Sequence, residues 1–398
     1  MTGTARANRY HIAVFGRRNT GKSSLVNSLV GQDVSIVSDV AGTTTDTVWK
    51  NIELPGIGAA VIGDTAGFDD EGTLGTMRVD ATRKVLSRAD LAIILLGESG
   101  GDVSLEKDWY AAAVTQQLPV ILLVGKCDEK GSEVRLEQWR GIFGEGVIPF
   151  SAKSGDGRDA LLAQMQQCYR SDDDLDDLDD ITYTLVKPGD LVVLVMPQDN
   201  SAPKGRLIQP QVQTLRNLLD KHCIPLCCAP EELPRLLGSL VAPPQLIITD
   251  SQVFAQVEKL TPEGTALTSF SVLMARHKGD IDAFLDGAKV LRSLPADGRV
   301  LIAEACAHVP QNEDIGRVKL PRLLRNKLGE SLHIDVVSGN DFPADLSGYD
   351  IVIHCGACMF NRRTVMSRVR QTKAQGVPIT NYGIAIAALT GILDRVAM

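Results

Sequence analysis

Two groups of residues have types and spacings that could do chemistry. In the first, "EACAHVP" places Cys306 and His308 after one apolar run, and "IVIHCGACMF" places His354, Cys355 and Cys358 after another. The full pattern is Cys-x-His, 45 intervening residues, then His-Cys-x-x-Cys. If both apolar runs are strands of one open α/β sheet, their carboxyl ends bring the five side chains together. The pattern therefore predicts a metal site.

The chemistry of these side chains leaves the metal open. Three thiolates with a replaceable fourth ligand suit an iron–sulfur cluster, and three Cys with one His suit tetrahedral zinc equally well. A helix is expected to begin near Cys358, where its dipole favours thiolate. His308 and His354 are either ligands or hydrogen-bonding supports. Glu313 and Asp314 are further candidates, as exchangeable oxygen ligands. The remaining alternative is a set of unligated core side chains.

The second group is "GRRNTGKS", residues 16–23, which has the P-loop spacing of two glycines followed by Lys-Ser. It lies between a predicted strand, "HIAVF", and a predicted helix, "SSLVNSLV", as the mechanism requires. Backbone N–H groups would cradle phosphate, Lys22 would reach the β- and γ-phosphates, and Ser23 would bind Mg²⁺. The residues expected at the phosphates are Gly16, Asn19, Thr20, Gly21, Lys22, Ser23 and Ser24.

Four further motifs follow in the order of a GTPase: "GTTTD", "DTAG", "GKCD" and "SAK". Asp64 ends a predicted strand, as a magnesium-binding Asp should, and the Gly67 amide would meet the γ-phosphate. Asp128 would pair with the guanine N1 and N2 donors. The further nucleotide-binding candidates are Thr44, Thr45, Asp64, Gly67, Lys126, Asp128, Ser151, Ala152 and Lys153. The residues expected to act in hydrolysis are Asn19, Lys22, Thr44 and Gly67.

These motifs resemble the branch of translation-related GTPases that contains the tRNA-modifying GTPase TrmE. Two positions depart from the usual pattern: Gly125 replaces the Asn of the guanine motif, and Phe68 stands where a water-orienting Gln often does. We expect weaker binding from the first change and slow intrinsic hydrolysis from the second. In this branch an Asn at the position of Asn19 helps bind K⁺ near the phosphate; a simple turn preference is the alternative.

The elements that must position these motifs form three predicted α/β domains. Short apolar runs alternate with helical patterns throughout, which indicates mostly parallel sheets. The block "SDDDLDDLDD" cannot bury itself and is interpreted as an acidic linker. The predicted divisions are residues 1–170, the linker 171–181, residues 182–262 and residues 263–398.

Composition and charge exclude several classes of protein. The formal net charge of -8 over 398 residues argues against a nucleic-acid binder. No apolar run approaches the roughly 18 residues that span a bilayer, and no signal peptide is recognised, so a cytoplasmic protein without membrane partners is expected. In that reducing compartment the eight cysteines are not a disulfide framework. Cys127, Cys168, Cys223, Cys227 and Cys228 are expected to be core thiols.

Over essentially its whole length the chain resembles the HydF family of FeFe-hydrogenase maturation GTPases. The resemblance implies that Cys306, Cys355 and Cys358 hold a 4Fe–4S cluster in an iron–sulfur domain, and that residues 182–262 form a homodimer. It also implies a scaffold or carrier that assembles or delivers a di-iron precursor to apo FeFe-hydrogenase, with radical-SAM maturases as further partners. The competing interpretation is a tRNA-modification GTPase with a C-terminal structural zinc site.

Overall fold

The computed structural model describes residues 9–30, 48–64, 82–98, 101–170, 180–198, 207–305, 314–339, 341–357 and 360–398. The chain divides into two compact units, Met1–Leu175 and Asp176–Met398. Each unit alternates strands with helices, so the predicted α/β class is confirmed. The three-domain division with its linker stays a prediction.

The first unit contains a six-stranded sheet in the order β2-β3-β1-β4-β5-β6. Only β2 runs antiparallel to its neighbour. Every residue of β1 and β4 is buried, because helices cover both faces of a central parallel strand. The strands are β1 (Tyr10–Gly16), β2 (Val48–Leu54), β3 (Gly58–Asp64), β4 (Leu91–Leu96), β5 (Val120–Val124) and β6 (Ile148–Pro149). The helices are Lys22–Val30, Ser104–Thr115, Ser132–Phe143 and Arg158–Arg170, and residues 82–86 are also helical.

The second unit begins with a four-stranded parallel sheet in the order β10-β9-β7-β8. Its central strand β7 is almost wholly buried, whereas the edge strand β8 is partly exposed along its length. The strands are β7 (Leu191–Val195), β8 (Ile224–Cys228), β9 (Leu246–Thr249) and β10 (Ala266–Ser269). The helices are Gln209–Asp220, Leu233–Ser239, Phe254–Glu258 and Phe270–Lys278, with short 3₁₀ turns at Tyr183–Leu185, Pro230–Glu232 and Ser251–Val253.

A second four-stranded parallel sheet follows in the same unit, in the order β12-β11-β13-β14. The strands are β11 (Arg299–Glu304), β12 (His333–Ser338), β13 (Ile351–His354) and β14 (Ile379–Asn381). The helices are Ile281–Arg292, Leu320–Leu328, Arg362–Ala374 and Tyr382–Thr390, with a π-helical turn at Ile315–Lys319 and a 3₁₀ turn at Leu393–Arg395.

Polar side chains begin four helices of this unit. Ser269, Asp280, Asn361 and Asn381 each occupy the N-cap position and accept a hydrogen bond from a backbone N–H of the first turn. Such caps satisfy donors that the helix itself cannot, and each typically contributes about 1 kcal/mol. They fix where each helix starts relative to the element before it.

The two sheets of the second unit share one hydrophobic core. A single cluster of buried side chains includes Val193 and Ile247 from the first of these sheets and Leu301 and Val352 from the second. β10 lies beyond the predicted division at residue 262, yet it pairs with β9 and extends the earlier sheet. The helix after β10, Phe270–Lys278, contacts helices on both sides of this core.

Within the described part of the chain, we find no helix with the length and apolar character needed to cross a bilayer.

His277 is a buried titratable group in the helix Phe270–Lys278. Its side chain is 5% exposed, and its Nδ1 has no hydrogen-bond partner among the described residues. Burial, together with the charges of Lys278 and Arg362, lowers the pKa of His277 to about 4. An unfolded histidine binds a proton near its ordinary pKa of 6.5, so below that pH protonation favours the unfolded chain.

We therefore expect stability to fall as pH drops from 6.5 towards 4, with His277 contributing about 1.4 kcal/mol per pH unit and about 3 kcal/mol in all. His277→Gln should reduce this slope, as measured by urea unfolding at pH 7, 6 and 5. His333→Gln, at an exposed position, is the matched control. An unchanged slope in His277→Gln would contradict the assignment.

Candidate functional site

The P-loop connects β1 to the helix Lys22–Val30, as the sequence predicts. Lys22 is 8% exposed, and its Nζ donates hydrogen bonds to the carbonyls of Gly16 at 2.7 Å and Arg17 at 2.9 Å. Thr20 Oγ1 also donates to the Arg17 carbonyl, at 2.8 Å. The ammonium is therefore held across the loop, where phosphate oxygens could replace the carbonyls as its acceptors. Ser23 and Ser24, at the start of the helix, are exposed.

An ion pair that the sequence analysis missed anchors the loop. Arg17 Nε donates to Glu106 Oε1 at 2.6 Å, and its Nη2 donates to Glu106 Oε2 at 2.9 Å. Glu106 lies in the helix Ser104–Thr115 and is 2% exposed. A two-point contact of this kind fixes the geometry of the guanidinium. No local pattern links the two residues, which are 89 positions apart.

Asn19 is exposed and adopts a left-handed backbone conformation with φ +63°. Asn tolerates this conformation better than most residues, so the turn preference considered above is satisfied at this position. Its role in K⁺ binding stays a prediction.

The guanine motif follows β5 and is built around Asp128. Ser151, which is wholly buried, donates its Oγ–H to Asp128 Oδ1 at 2.6 Å. This hydrogen bond holds the pKa of Asp128 below its ordinary value, so the side chain is a carboxylate that can accept two guanine N–H groups. The Ser151 hydroxyl in turn accepts the N–H of Lys153 at 3.2 Å. Ser151 therefore orients the carboxylate, and Ala152 packs against the core beside it.

Three glycines make room for Thr20 of the P-loop. A Cβ added at Gly125 would lie 2.7 Å from the Thr20 carbonyl oxygen. A Cβ at Gly97 would lie 2.8 Å from Thr20 Cγ2, and one at Gly16 would lie 2.8 Å from Thr20 Oγ1. Real Cβ atoms do not approach this closely, which gives the missing Asn at position 125 a physical reason. At position 125 the guanine motif therefore contacts the P-loop through backbone atoms, whereas the usual motif has an Asn side chain there.

Lys126, next to Gly125, has a φ of +59°. Asp64 ends β3, and its backbone lies beside Val14 of β1, two residues before the P-loop begins. That register fits the magnesium-binding role predicted for Asp64, although its side chain lies outside the described atoms. Thr44, Thr45, Gly67 and Phe68 lie outside the described residues.

The Cys-His pattern begins where two neighbouring strands end. β11 and β13 pair in parallel, with Ala303 beside His354. Cys355 follows directly, and its N–H donates to the Ala303 carbonyl at 3.0 Å. The predicted ligands Cys306, His308 and Cys358, and Glu313, lie outside the described residues. Among the residues that are described, no three His, Cys, Asp or Glu side chains form a group that could hold a metal.

The Cys355 thiol lies in a setting suited to a thiolate. Its Sγ accepts the backbone N–H of Ala305 at 3.0 Å and that of Ala357 at 3.4 Å. Hydrogen bonds to sulfur stabilise its anionic form and tune any metal group it holds. Ala357 has a φ of +49°, which is unusual for a residue other than glycine. In contrast, burial raises the pKa of Cys228 to about 11, which favours its neutral thiol.

His354 is fully buried, and both of its ring nitrogens have partners. Nδ1 donates to the Cys355 carbonyl at 2.7 Å, and Nε2 accepts from Arg368 Nη1 at 2.9 Å. Burial, and then Arg368, lower the pKa of His354 to about 3, so the imidazole is neutral. The Arg368 guanidinium also lies over the rings of Phe342 and Phe360. These contacts leave no free lone pair on the imidazole, which favours a supporting role over metal ligation.

Asp314 also has a local role. Its Oδ1 accepts the backbone N–H groups of Gly316 and Arg317 at 2.9 and 3.0 Å, which caps the π-helical turn Ile315–Lys319. Arg317 then pairs with the buried Glu304, at the end of β11, at 3.1 Å. The carboxylate of Asp314 therefore shapes the segment that returns from the Cys306 region.

The sequence analysis missed three residues around Cys355. Arg368 holds His354, Asn381 donates its Nδ2–H to the Cys355 carbonyl at 3.4 Å, and Lys278 donates to two carbonyls of the following loop. The sequence signal for Lys278 is a basic residue at the end of a largely apolar helical pattern, and Arg368 is one of five basic residues in the helix Arg362–Ala374. That signal is weak, because long basic side chains often reach solvent.

Comparison with known proteins divides the chain into three matched segments. Residues 11–126 match the family model described as 50S ribosome-binding GTPase. Residues 181–279 match the hydrogen maturase F dimerization domain, and residues 282–398 match the hydrogen maturase F tetramerization domain. The first match establishes a GTPase, which implies GTP and Mg²⁺ as ligands. The other two are named for self-association and support a homo-oligomer.

Curated relatives match the GTPase segment. The tRNA modification GTPase MnmE of Chromobacterium violaceum is 34% identical over 156 residues, which are 39% of this chain and 34% of that protein. MnmE of Heliobacterium modesticaldum is 32% identical over 176 residues, 44% of this chain and 37% of that protein. The chain thus spans about a third of the length of these relatives. A crystal structure of Aquifex aeolicus Era is 20% identical to this chain with a TM-score of 0.34, and the match covers 55% of this chain and 92% of that one. On its two C-terminal matches and its TrmE-like GTPase segment, the chain belongs to the hydrogen maturase F (HydF) family.

Proposed function

We propose that this protein is a GTP-hydrolysing scaffold or carrier in the cytoplasm. It would bind a 4Fe–4S cluster and assemble or deliver a di-iron precursor to apo FeFe-hydrogenase, with radical-SAM maturases as further partners. The observation that carries the proposal is the setting of Cys355: two backbone N–H groups point at its sulfur where two adjacent parallel strands end. Such a setting suits a thiolate ligand.

The residues around Cys355 would have different roles in such a site. Cys355, with Cys306 and Cys358, would hold the cluster, which supplies an iron open to exchangeable ligands. His354 would fix the Cys355 carbonyl through Nδ1, and Arg368 would keep the imidazole in that tautomer. The partly buried rings of Phe342 and Phe360 beside Arg368 would limit access of water.

The alternative, a tRNA-modification GTPase with structural zinc, draws on the similarity to MnmE. That similarity is confined to the GTPase segment, and residues 181–398 match hydrogen maturase F models apart from a two-residue gap. The net charge of -8 also disfavours binding to tRNA. We therefore favour the maturation scaffold.

The nucleotide site can be tested at Gly125. A methyl group in Gly125→Ala must displace the Thr20 carbonyl, and overpacking of this kind costs about 1–3 kcal/mol. We expect roughly tenfold weaker binding of fluorescent GDP. Gly146→Ala is the matched control, because no atom lies within 4 Å of the added Cβ.

In a separate assay of phosphate release, Lys22→Ala should abolish GTP hydrolysis, and the wild type should hydrolyse GTP in preference to ATP. Wild-type affinity in Gly125→Ala would refute the close-contact explanation, and equal turnover of ATP and GTP would refute the assignment of Asp128.

The homodimer is proposed to form through the edge strand β8. Ile224 on β8 is 54% exposed, and Leu219 in the helix packed beside it is 51% exposed. Apolar side chains on an open edge strand are typical of a surface that another chain covers. A second copy is the proposed partner, because this segment matches a dimerization domain.

We expect Ile224→Asp to shift the protein from dimer towards monomer at micromolar concentration, measured by light scattering. Val134→Asp is the control, since Val134 is 62% exposed but lies in the GTPase segment. A dimeric Ile224→Asp variant would exclude this edge, and a monomeric wild type would exclude the dimer.

The cluster is tested by anaerobic reconstitution followed by iron, sulfide and zinc analysis. Cys306→Ser, Cys355→Ser and Cys358→Ser should each lose most of the iron and the visible absorbance. Cys228→Ser should keep both, because its thiol stays neutral. Wild-type protein with tightly bound zinc and no labile sulfide would support the zinc alternative instead.

A further inference from the structure

Lys278 is a buried lysine whose ammonium group reaches the loop after Cys355. It is the last residue of the helix Phe270–Lys278, and its side chain is 3% exposed. Nζ donates hydrogen bonds to the carbonyls of Ala357 at 3.1 Å and Phe360 at 3.0 Å. These two carbonyls stand on either side of Cys358 in the chain. The ammonium therefore bridges two carbonyls of the chain that follows Cys355.

The Ala357 peptide groups connect this lysine to the Cys355 sulfur. The N–H of Ala357 donates to Cys355 Sγ, and its carbonyl accepts from Lys278 Nζ. Both contacts depend on the left-handed conformation of Ala357, which is unfavourable for an alanine because its Cβ crowds the backbone. A donor fixed on the carbonyl stabilises that conformation and, with it, the N–H that points at sulfur.

Burying a lysine at this position costs free energy that favourable interactions must offset. Removing an ammonium from water carries a penalty of several kcal/mol, and carbonyl acceptors offset only part of it. Arg362 brings a second cation nearby, since its Nη1 donates to the carbonyls of His277 and Gly279. Positive charge of this kind is favourable beside a group that carries thiolates and is therefore negative.

We infer that Lys278 is a positioning residue for the Cys355–Cys358 loop and that its charge raises the reduction potential of the group bound there. The inference rests on the proposed function of Cys355. Lys278 would act in two ways: through the Ala357 peptide it fixes a hydrogen bond to sulfur, and through its charge it favours the reduced, more negative cluster. Its helix belongs to the segment that matches the dimerization domain, so the contact also joins that segment to the loop.

The test uses full-length protein reconstituted anaerobically with iron and sulfide. Lys278→Met keeps most of the side-chain length but removes the donors and the charge, whereas Lys278→Arg keeps the charge. Lys289→Met is the control, because Lys289 is exposed and pairs only with Asp286 on its own helix among the contacts described. Iron retention against a chelator and the midpoint potential by EPR-monitored titration are measured, with thermal unfolding of the apo proteins as the check on folding.

We expect Lys278→Met to lose iron roughly tenfold faster, the usual scale for removing a supporting contact of a metal site. Its midpoint potential should become more negative, whereas Lys278→Arg, which keeps the charge and can donate to the same carbonyls, should stay closer to the wild-type potential. Lys289→Met should match the wild type in both measurements.

Wild-type retention and potential in Lys278→Met would overturn the inference. If Lys278→Met does not fold, Lys278→Gln decides the question, because its shorter, neutral side chain removes the charge and cannot reach both carbonyls; wild-type iron retention and potential in that variant would overturn the inference. A wild-type protein that holds no labile sulfide would instead refute the proposed function, so the two failures are distinguishable.

Discussion

Parallel pairing of neighbouring strands is the constraint on which both candidate sites depend. Parallel strands end at the same edge of a sheet, so residues that follow different strands become neighbours in space although they are far apart in sequence. In the first sheet, β1 and β5 deliver the P-loop and the guanine motif to one edge. In the last sheet, β11 and β13 deliver the segments that begin after Glu304 and His354. The chemistry of each site is therefore set by the loops, and the register of the strands decides which loops meet.

Both sites are then refined by backbone groups that distant side chains hold in place. At the nucleotide site, Glu106 anchors Arg17, and Gly125 lets the Thr20 carbonyl approach the guanine motif. At the cysteine site, Lys278 holds the carbonyl of Ala357, whose N–H points at the Cys355 sulfur. The entropic cost of ordering these backbone groups is met on folding, so each site is already ordered when its ligand arrives.

Basic side chains lie around the segment that follows β13. The chain is acidic as a whole, yet three basic side chains, Lys278, Arg362 and Arg368, contact backbone or imidazole acceptors around the segment that follows β13. Lys278 and Arg368 are almost fully buried. Buried cations are stable only when acceptors and negative groups surround them. In the proposed function the thiolate ligands would supply the negative charge, which would account for the burial of these cations beside Cys355.

The sequence by itself determined the α/β class, the P-loop with its guanine motif, and the strand ends that carry the cysteines, because each is written in contiguous residues: apolar runs, glycine spacing and clustered ligands. It could not determine that both ring nitrogens of His354 are hydrogen-bonded, why position 125 lacks an Asn, or that Lys278 reaches the chain after Cys355. The tertiary structure decided these points. The contacts join residues that are far apart in sequence, 82 positions in the case of Lys278 and Phe360, and helix packing and strand register bring them together with no trace in the local pattern. The physical reason is that the type of a residue decides which hydrogen bonds its side chain can make, whereas the fold decides which acceptors lie within reach of that side chain.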